Sequence, residues 1–309
     1  MGMLMALTAI TALCLASPVR AAGVFYPTVS NVTQLIGDIN YANQIGGTYT
    51  IYLQPNTTFT NAGLVIGGTN TVHLTIIGNG DTFNGPGLGE SVSRFFIVVP
   101  GSSLTLEQMT LQNGCAYVDY GGAIYNAGTL TISNCTLSGN TSVDRTDYVT
   151  SLRGVGGAIY NAGGTVIIDN SILSDNLATG ANPMGGAIYN ASGTVTISDS
   201  TFANNFAVDT VGGIYVDPEY PQDGAGGAIF NESGTVTISH SSLTGNYASF
   251  TGGGLCNGFY YYSGGTATIG NSSKISGNTV DDVQNSGVLY LDSTSTITIL
   301  DGNSAISIP

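Results

Sequence analysis

The chain has 309 residues and a formal net charge of −14 at neutral pH, because only five Lys or Arg residues oppose 19 Asp or Glu residues. An acidic surface repels phosphate groups, so we expect neither nucleic acid nor an anionic membrane as a partner. The 45 glycines and the 42% share of apolar residues favour short strands joined by tight turns around a sizeable core. This composition excludes intrinsic disorder.

The first 21 residues are predicted to be a secretory signal peptide. An apolar run from Leu4 to Ala16 is followed by small residues, and Val19 and Ala21 stand where signal peptidase requires small side chains. We expect cleavage after Ala21 and a secreted, cell-surface or outer-membrane-associated protein. A buried N-terminal strand or an uncut anchor is the alternative. No later apolar run has the length of a membrane-spanning helix.

Residues 22–92 are predicted to form an N-terminal cap and the first turns of a coiled sheet. The segments "TYTIYLQPNTTF" and "HLTIIGNG" are typical of strands. An open sheet edge can template aggregation, so a cap is needed. Five apolar residues with roughly helical spacing predict a short amphipathic capping helix: Val32, Leu35, Ile36, Ile39 and Ile45.

An internal repeat dominates residues 93–303, and residues 304–309 are interpreted as a tail. Each copy opens with Gly-Gly, continues with a segment such as "TVTIS" and closes with an apolar residue followed by Asn. Divergent copies start near residues 95 and 287. The clearest copies start at Gly121, Gly156, Gly185, Gly226 and, more weakly, Gly252.

Apolar residues recur in three columns of the repeat, which predicts three short strands per turn. In the middle segment they alternate with Thr or Ser, as at Val195 and Ile197, so this strand has one apolar face and one hydroxyl-rich face. Equivalent strands stacked about 4.8 Å apart would bury a continuous interior. The sequence therefore predicts an all-β solenoid with a short N-terminal capping helix.

Two asparagine columns are predicted to be structural ladders and not ligands. At strand ends Asn can adopt a left-handed backbone and supply its amide to unpaired backbone groups. The columns consist of Asn126, Asn161, Asn190, Asn231 and Asn257, and of Asn140, Asn176, Asn205, Asn246 and Asn278.

Variable inserts separate each closing Asn from the next Gly-Gly. Turns of a solenoid contact only their neighbours, so one corner tolerates insertions. We expect the inserts to project from one side of the rod, where recognition would reside. They span residues 141–155, 177–184, 206–225 and 247–251.

The pairing of "GGAI" with a downstream "FANN"-like element resembles the repeat of the polymorphic outer membrane proteins, which are displayed on bacterial surfaces. The resemblance covers residues 121–278 well and residues 93–303 loosely. It implies a right-handed single-stranded parallel β-helix of pectin-lyase-like fold with an adhesin-like role.

Parallel β-helices also include polysaccharide lyases and glycoside hydrolases, so such an enzyme is the alternative function. A lyase needs clustered carboxylates and a Lys or Arg. Solvated loop charges are the other interpretation of the candidates, and the adjacent Asp281 and Asp282 are interpreted as a turn. The sequence predicts no metal site and no cofactor. The weak catalytic candidates are Asp144, Arg145, Asp147, Arg153, Asp217 and Glu219.

Aromatic residues provide the candidate binding surface. One column lies next to the inward Ile column, which predicts an outward stack that two tyrosines of an insert extend. A flat aromatic strip suits sugar rings or a protein partner, whereas stacking that only stabilises the sheet is the alternative. These residues are Tyr125, Tyr160, Tyr189 and Phe230, with Tyr215 and Tyr220.

The predicted function is that of a monomeric, adhesin-like module that binds a glycan or a cell-surface protein without catalysis. Binding would use the loop side or the Tyr column. A polysaccharide-active enzyme and a purely structural surface rod are the alternatives.

Overall fold

The computed structural model describes residues 25–60, 63–87, 92–144, 154–210, 224–258, 263–302 and 305–308. Within these ranges the chain forms a right-handed parallel β-helix, and each strand pairs in parallel with the equivalent strands of the neighbouring turns. The predicted all-β solenoid is confirmed. The predicted signal peptide lies outside the described residues.

An α-helix, Val32–Ile45, lies against the first strands of the coil, as predicted. Asn31 caps its N-terminus by accepting a hydrogen bond from a backbone amide of the first turn. Leu35 and Ile39 are buried in the core, whereas Ile45, which the sequence assigns to the apolar face, is 59% exposed. Ile45 is the last residue of the helix, so its side chain reaches past the sheet that the helix covers.

The widest sheet in the described part of the chain, hereafter the wide sheet, has 18 strands. One half of the sheet comes from the middle segment of the repeat, as in Thr194–Ser198, and the other half comes from the closing segment, as in Thr201–Ala203. Residues 306–308, which the sequence assigns to a tail, form the last strand of this sheet and pair with the strand Val288–Asp292. The strands are Phe25–Val29, Gly47–Leu53, Thr58–Phe59, Val72–Asn84, Ser103–Gln112, Thr129–Ser133, Thr136–Ser138, Thr165–Asp169, Ile172–Ser174, Thr194–Ser198, Thr201–Ala203, Thr235–Ser239, Ser242–Thr244, Thr266–Gly270, Lys274–Ser276, Val288–Asp292, Thr296–Ile297 and Ile306–Ile308.

A second sheet, the Ile-Tyr-Asn sheet, follows the Gly-Gly corners and has nine described strands. These strands are Leu64–Ile66, Phe96–Val98, Ile124–Asn126, Ile159–Asn161, Ile188–Asn190, Ile229–Asn231, Leu255–Asn257, Val283–Asn285 and Leu300–Gly302.

A third sheet of five described strands corrects the predicted extent of the inserts. Each insert was expected to begin directly after the closing Asn, but its first residues form a strand that belongs to the coil. The reason is burial: the inward residues of these strands, such as Ser142 and Ala178, are fully buried. The strands are Cys115–Tyr117, Thr141–Val143, Leu177–Gly180, Phe206–Asp209 and Tyr247–Ala248.

Equivalent side chains of successive turns lie over one another and form the apolar core. Ile159 pairs in register with Ile188 of the next turn, and both are fully buried. Val195 and Ile197 of the wide sheet are also fully buried, whereas the outward Ile167 is 37% exposed. Each fully buried aliphatic side chain contributes about 1.5–3 kcal/mol to folding, so the repeat columns are the main source of stability.

The Gly-Gly pairs form the corner before five strands of the Ile-Tyr-Asn sheet, those that begin at Ile124, Ile159, Ile188, Ile229 and Leu255. The first glycine has a positive φ, for example 63° at Gly156. The second approaches the next turn so closely that a Cβ at Gly157 would lie 2.1 Å from the carbonyl oxygen of Gly186. Both positions therefore require glycine.

Left-handed backbone conformations do not occur at the ladder asparagines, where the sequence suggests them. None of the ten ladder asparagines has a positive φ. Positive φ values instead occur directly before each closing asparagine, as at Asp175 and Asn204, and at the bend between the two halves of the wide sheet, where Asn and Asp are tolerated best. The bend residues are Asn134, Asn170, Asp199, His240 and Asn271.

Candidate functional site: an outer aromatic column

Aromatic rings stack along the outward side of the Ile-Tyr-Asn sheet. The Tyr125 and Tyr160 ring centroids are 5.4 Å apart, those of Tyr160 and Tyr189 are 5.4 Å apart, and those of Tyr189 and Phe230 are 5.3 Å apart. The last two pairs are nearly parallel, with interplanar angles of 9° and 8°. We call these four residues the aromatic column.

The rings present their edges to solvent and not their faces. The distance between turns is close to the stacking distance of aromatic rings, so each ring covers the face of the next. The accessible parts of Tyr125 and Tyr160, which are half-buried, are therefore ring edges and phenol hydroxyls. This arrangement differs from the flat strip of exposed faces that the sequence suggests.

The far end of the aromatic column is closed off by a second apolar cluster outside the coil. Tyr189 is 6% exposed and Phe230 is fully buried, and they pack with Val155, Met184 and Ala225. These last three residues come from the corners before the Gly-Gly pairs and form parallel bridges with one another. This half of the column stabilises the fold, and among the described residues of the column only Tyr125 and Tyr160 are partly exposed.

A buried arginine closes the near end of the column. The Arg94 guanidinium lies 5.6 Å from the Tyr125 ring centroid, forms an ion pair of 2.9 Å with Asp119 and donates a hydrogen bond of 2.9 Å to the Gly121 carbonyl. It also donates to the Tyr120 carbonyl. A cation over an aromatic face is attracted by the ring quadrupole, so Arg94 completes the stack.

Sequence reasoning missed this role of Arg94. Phe96 pairs in register with Ile124, so Arg94 occupies the position of the second corner glycine in a divergent copy of the repeat. The chain has only five Lys or Arg residues, and Arg94 stands where other copies of the repeat have glycine. This exception is the signal in the sequence that could have revealed the role of Arg94.

Two further groups flank the open half of the column. The Tyr120 ring stacks against Tyr160 with its centroid 4.9 Å away, and the Tyr189 hydroxyl donates a hydrogen bond of 2.5 Å to Glu232. Burial raises the pKa of Tyr160 to about 12, with smaller contributions from Tyr125, Tyr120 and Glu232. At physiological pH the Tyr160 hydroxyl is therefore neutral and can donate a hydrogen bond.

The asparagine ladders lie inside the coil. The side chain of Asn126 donates to Asn161 over 2.8 Å, and Asn140 donates to Asn176 over 3.0 Å. The same contact recurs along both columns. The first ladder extends to Asn285 and the second ends at Asp282, two members that the sequence did not reveal. All ten predicted ladder residues are buried, so a soluble ligand cannot reach them.

Most of the candidate catalytic residues lie outside the described part of the chain, so a catalytic group made from them stays a prediction. Asp144 is described: it is 2% exposed, and its backbone amide donates to the Thr179 carbonyl. The residues outside the described ranges are Arg145, Asp147, Arg153, Asp217 and Glu219, together with Tyr215 and Tyr220.

Asp281 and Asp282 bind backbone and side-chain donors of the neighbouring turns. Asp281 accepts from the Thr251 hydroxyl over 2.8 Å and from the Gly252 amide, and burial raises its pKa. Asp282 accepts from the Ile299 amide over 2.9 Å. Both carboxylates therefore hold the last turns of the coil together.

Among the described residues, no three His, Cys, Asp or Glu side chains come together as metal ligands. Cys115, Cys135 and Cys256 are buried free thiols. Burial raises the pKa of Cys135 to about 11 and that of Cys256 well above its usual value. The Cys135 and Cys256 thiols are therefore protonated at neutral pH and are poor nucleophiles.

One comparison with known proteins gives a match. The family model described as "Right handed beta helix region" matches residues 28–273. No curated protein and no solved structure matches the chain. Within the described residues, the structure has no helix of the length and apolarity needed to span a bilayer.

Proposed function

Because the chain belongs to the right-handed beta helix family, we propose that it is an exported, non-catalytic module that binds an uncharged glycan at a cell surface. The binding site is the open half of the aromatic column, around Tyr120, Tyr125 and Tyr160. The buried half, from Tyr189 onward, holds these residues in place.

The observation that carries this proposal is the pairing of tyrosine edges with carboxylates on one outer strip of the rod. The half-buried Tyr125 and Tyr160 lie one turn apart; Asp119 is ion-paired with Arg94 at the Tyr125 end, and Glu232, which accepts from the Tyr189 hydroxyl, is close enough to raise the pKa of Tyr160. Phenol hydroxyls and carboxylates together donate to and accept from sugar hydroxyls. The ring edges supply apolar contact, and the fixed stack lowers the conformational entropy lost on binding.

Charge and repeat pattern support the same proposal. A net charge of −14 disfavours acidic polysaccharides and leaves neutral glycans as the compatible class. The resemblance of the repeat to that of surface-displayed outer membrane proteins supports export and an adhesin-like role. The predicted signal peptide agrees with this location.

The test is binding of the purified chain to a panel of neutral and acidic polysaccharides by affinity electrophoresis. We expect retardation by a neutral glycan that is lost in Tyr120→Ala and weakened in Tyr160→Phe, which keeps the ring but removes the hydroxyl. Tyr290→Phe is the matched control, because Tyr290 is a half-buried tyrosine on the wide sheet.

Two results would contradict the proposal. One is a glycan affinity that is equal in the wild type and in both column variants. The other is polysaccharide cleavage that disappears in Arg145→Ala or Asp217→Ala, which would establish the enzyme alternative. Binding only to a protein partner would replace the glycan as the ligand.

A further inference from the structure

The outward face of the wide sheet carries two adjacent columns of threonines, independent of the aromatic column. Neighbouring strands pair in register, so residues of equivalent position line up along the rod. Thr fills six of eight positions in the first column and seven of eight in the second. The first column is Thr48, His73, Ser103, Thr129, Thr165, Thr194, Thr235 and Thr266, and the second is Thr50, Thr75, Thr105, Thr131, Ile167, Thr196, Thr237 and Thr268.

The two columns form a regular two-dimensional grid. Members of one column are about 4.8 Å apart, and the two columns are separated by two residues of a strand, about 6.6 Å. Seven strand spacings make each column about 34 Å long. All sixteen side chains are exposed or half-buried.

The hydroxyls of this grid are available for external hydrogen bonds. Elsewhere in the chain, threonine hydroxyls bond internally: Thr57 donates to the Gln54 carbonyl and Thr251 donates to Asp281, both over 2.8 Å. The grid threonines, all of them in the described ranges, form no side-chain hydrogen bond inside the protein. Each therefore offers a hydroxyl and a methyl group to whatever contacts the face.

The grid is also free of formal charge apart from the titratable His73. None of its sixteen positions is Asp, Glu, Lys or Arg, although the chain has a net charge of −14. High β-propensity explains threonine on a strand, and the lack of charge agrees with a chain in which only 8% of the residues are charged. The two columns are neutral and offer no partner to ions and charged polymers, although the next outward position on the same strands carries Glu107 and Asp169.

We propose that this threonine grid binds ice. A partner that matches the whole grid must repeat in two directions, which a single polymer chain cannot do because it follows one column. The prism face of hexagonal ice repeats its oxygen atoms in two perpendicular directions, at distances close to the two spacings of the grid. Threonine hydroxyls join that lattice by hydrogen bonds, and the methyl groups order the water between them. In-register pairing of the strands fixes the positions of the threonines before binding, so little entropy is lost on binding.

The experiment follows single ice crystals in solutions of the purified chain, measuring crystal shape, the gap between melting and growth temperatures, and recrystallisation in frozen films. We expect faceted crystals and a measurable gap. Thr196→Tyr and Thr237→Tyr place bulky but β-compatible side chains in the second column and should abolish both effects.

Thr244→Tyr is the matched control, because Thr244 is an exposed threonine of the wide sheet that lies beyond the bend at His240. Circular dichroism and thermal melting establish that each variant is folded. Round crystals with no temperature gap in the wild type would overturn the proposal. So would column variants that behave like the wild type, an equal loss in Thr244→Tyr, or binding to crystalline polysaccharide in place of ice.

Discussion

The side-chain amide of Asn161 donates a hydrogen bond of 2.8 Å to the Oδ1 atom of Asn190, its equivalent one turn along the coil. Both residues are fully buried. Ladder asparagines inside each column use the donor group toward one neighbour and the acceptor group toward the other, as Asn190 does between Asn231 and Asn161. A neutral amide can do both because its NH2 group donates and its oxygen accepts.

Asn190→Ala is expected to destabilise the protein by about 2–4 kcal/mol, because a buried donor and a buried acceptor of neighbouring turns lose their partner at once. Chemical denaturation measures this change in the free energy of unfolding. Ser192→Ala is the control and should have little effect, because Ser192 is exposed in the short loop directly after the strand Ile188–Asn190. Equal stabilities of the two variants would show that the ladder does not contribute to folding.

The two faces of the wide sheet should respond differently to truncation of isoleucine. Ile197 is fully buried, so Ile197→Ala is expected to cost about 2–5 kcal/mol. Ile167, which pairs in register with Thr196 of the next turn, points outward with 37% exposure, so Ile167→Ala should change stability by about 0.5 kcal/mol or less. Thermal and denaturant unfolding would measure both changes, and similar losses would contradict the assigned faces.

Alkaline pH should weaken the aromatic column. The pKa of Tyr160 rises from 10.0 to about 12 on folding, mainly through burial, so the native state holds the phenol proton more tightly than the unfolded state does. The resulting stability is present below pH 10 and is lost as pH rises toward about 12. In this window the unfolding free energy of Tyr160→Phe should fall less than that of the wild type. Parallel pH profiles would refute this assignment.

Arg94→Lys should destabilise the protein although it keeps the charge. The planar guanidinium binds two carbonyls and Asp119 and covers the Tyr125 ring, and a lysine ammonium cannot reproduce this geometry. The expected loss is about 1.5–3 kcal/mol, the range for hydrogen bonds of charged groups.

Lys274→Gln, which removes an exposed cation, is the control for Arg94→Lys and should be nearly neutral. Denaturation curves at low and high salt compare the two variants. If Arg94→Lys is as stable as the wild type, Arg94 does not complete the aromatic column.

The repeat made most of the coil predictable. Alternation at Val195 and Ile197 assigns the inward face locally, and five copies of the pattern identify equivalent strands. The third sheet escaped prediction because its strands have two to four residues and begin in segments of variable length. Such short strands are stabilised by pairing with the strands of the neighbouring turns of the coil, and their own sequences contain no clear alternation of apolar and polar residues.

The sequence alone determined the parallel solenoid, its capping helix and the residues that stack in each column, because these depend on a local period repeated along the chain. Only the tertiary structure decided which rings expose edges or are buried, where Arg94 lies, that Asp282 ends a ladder, and that the threonines form a neutral grid. Those properties depend on distances between turns and on what packs outside the coil, which a one-dimensional pattern does not contain.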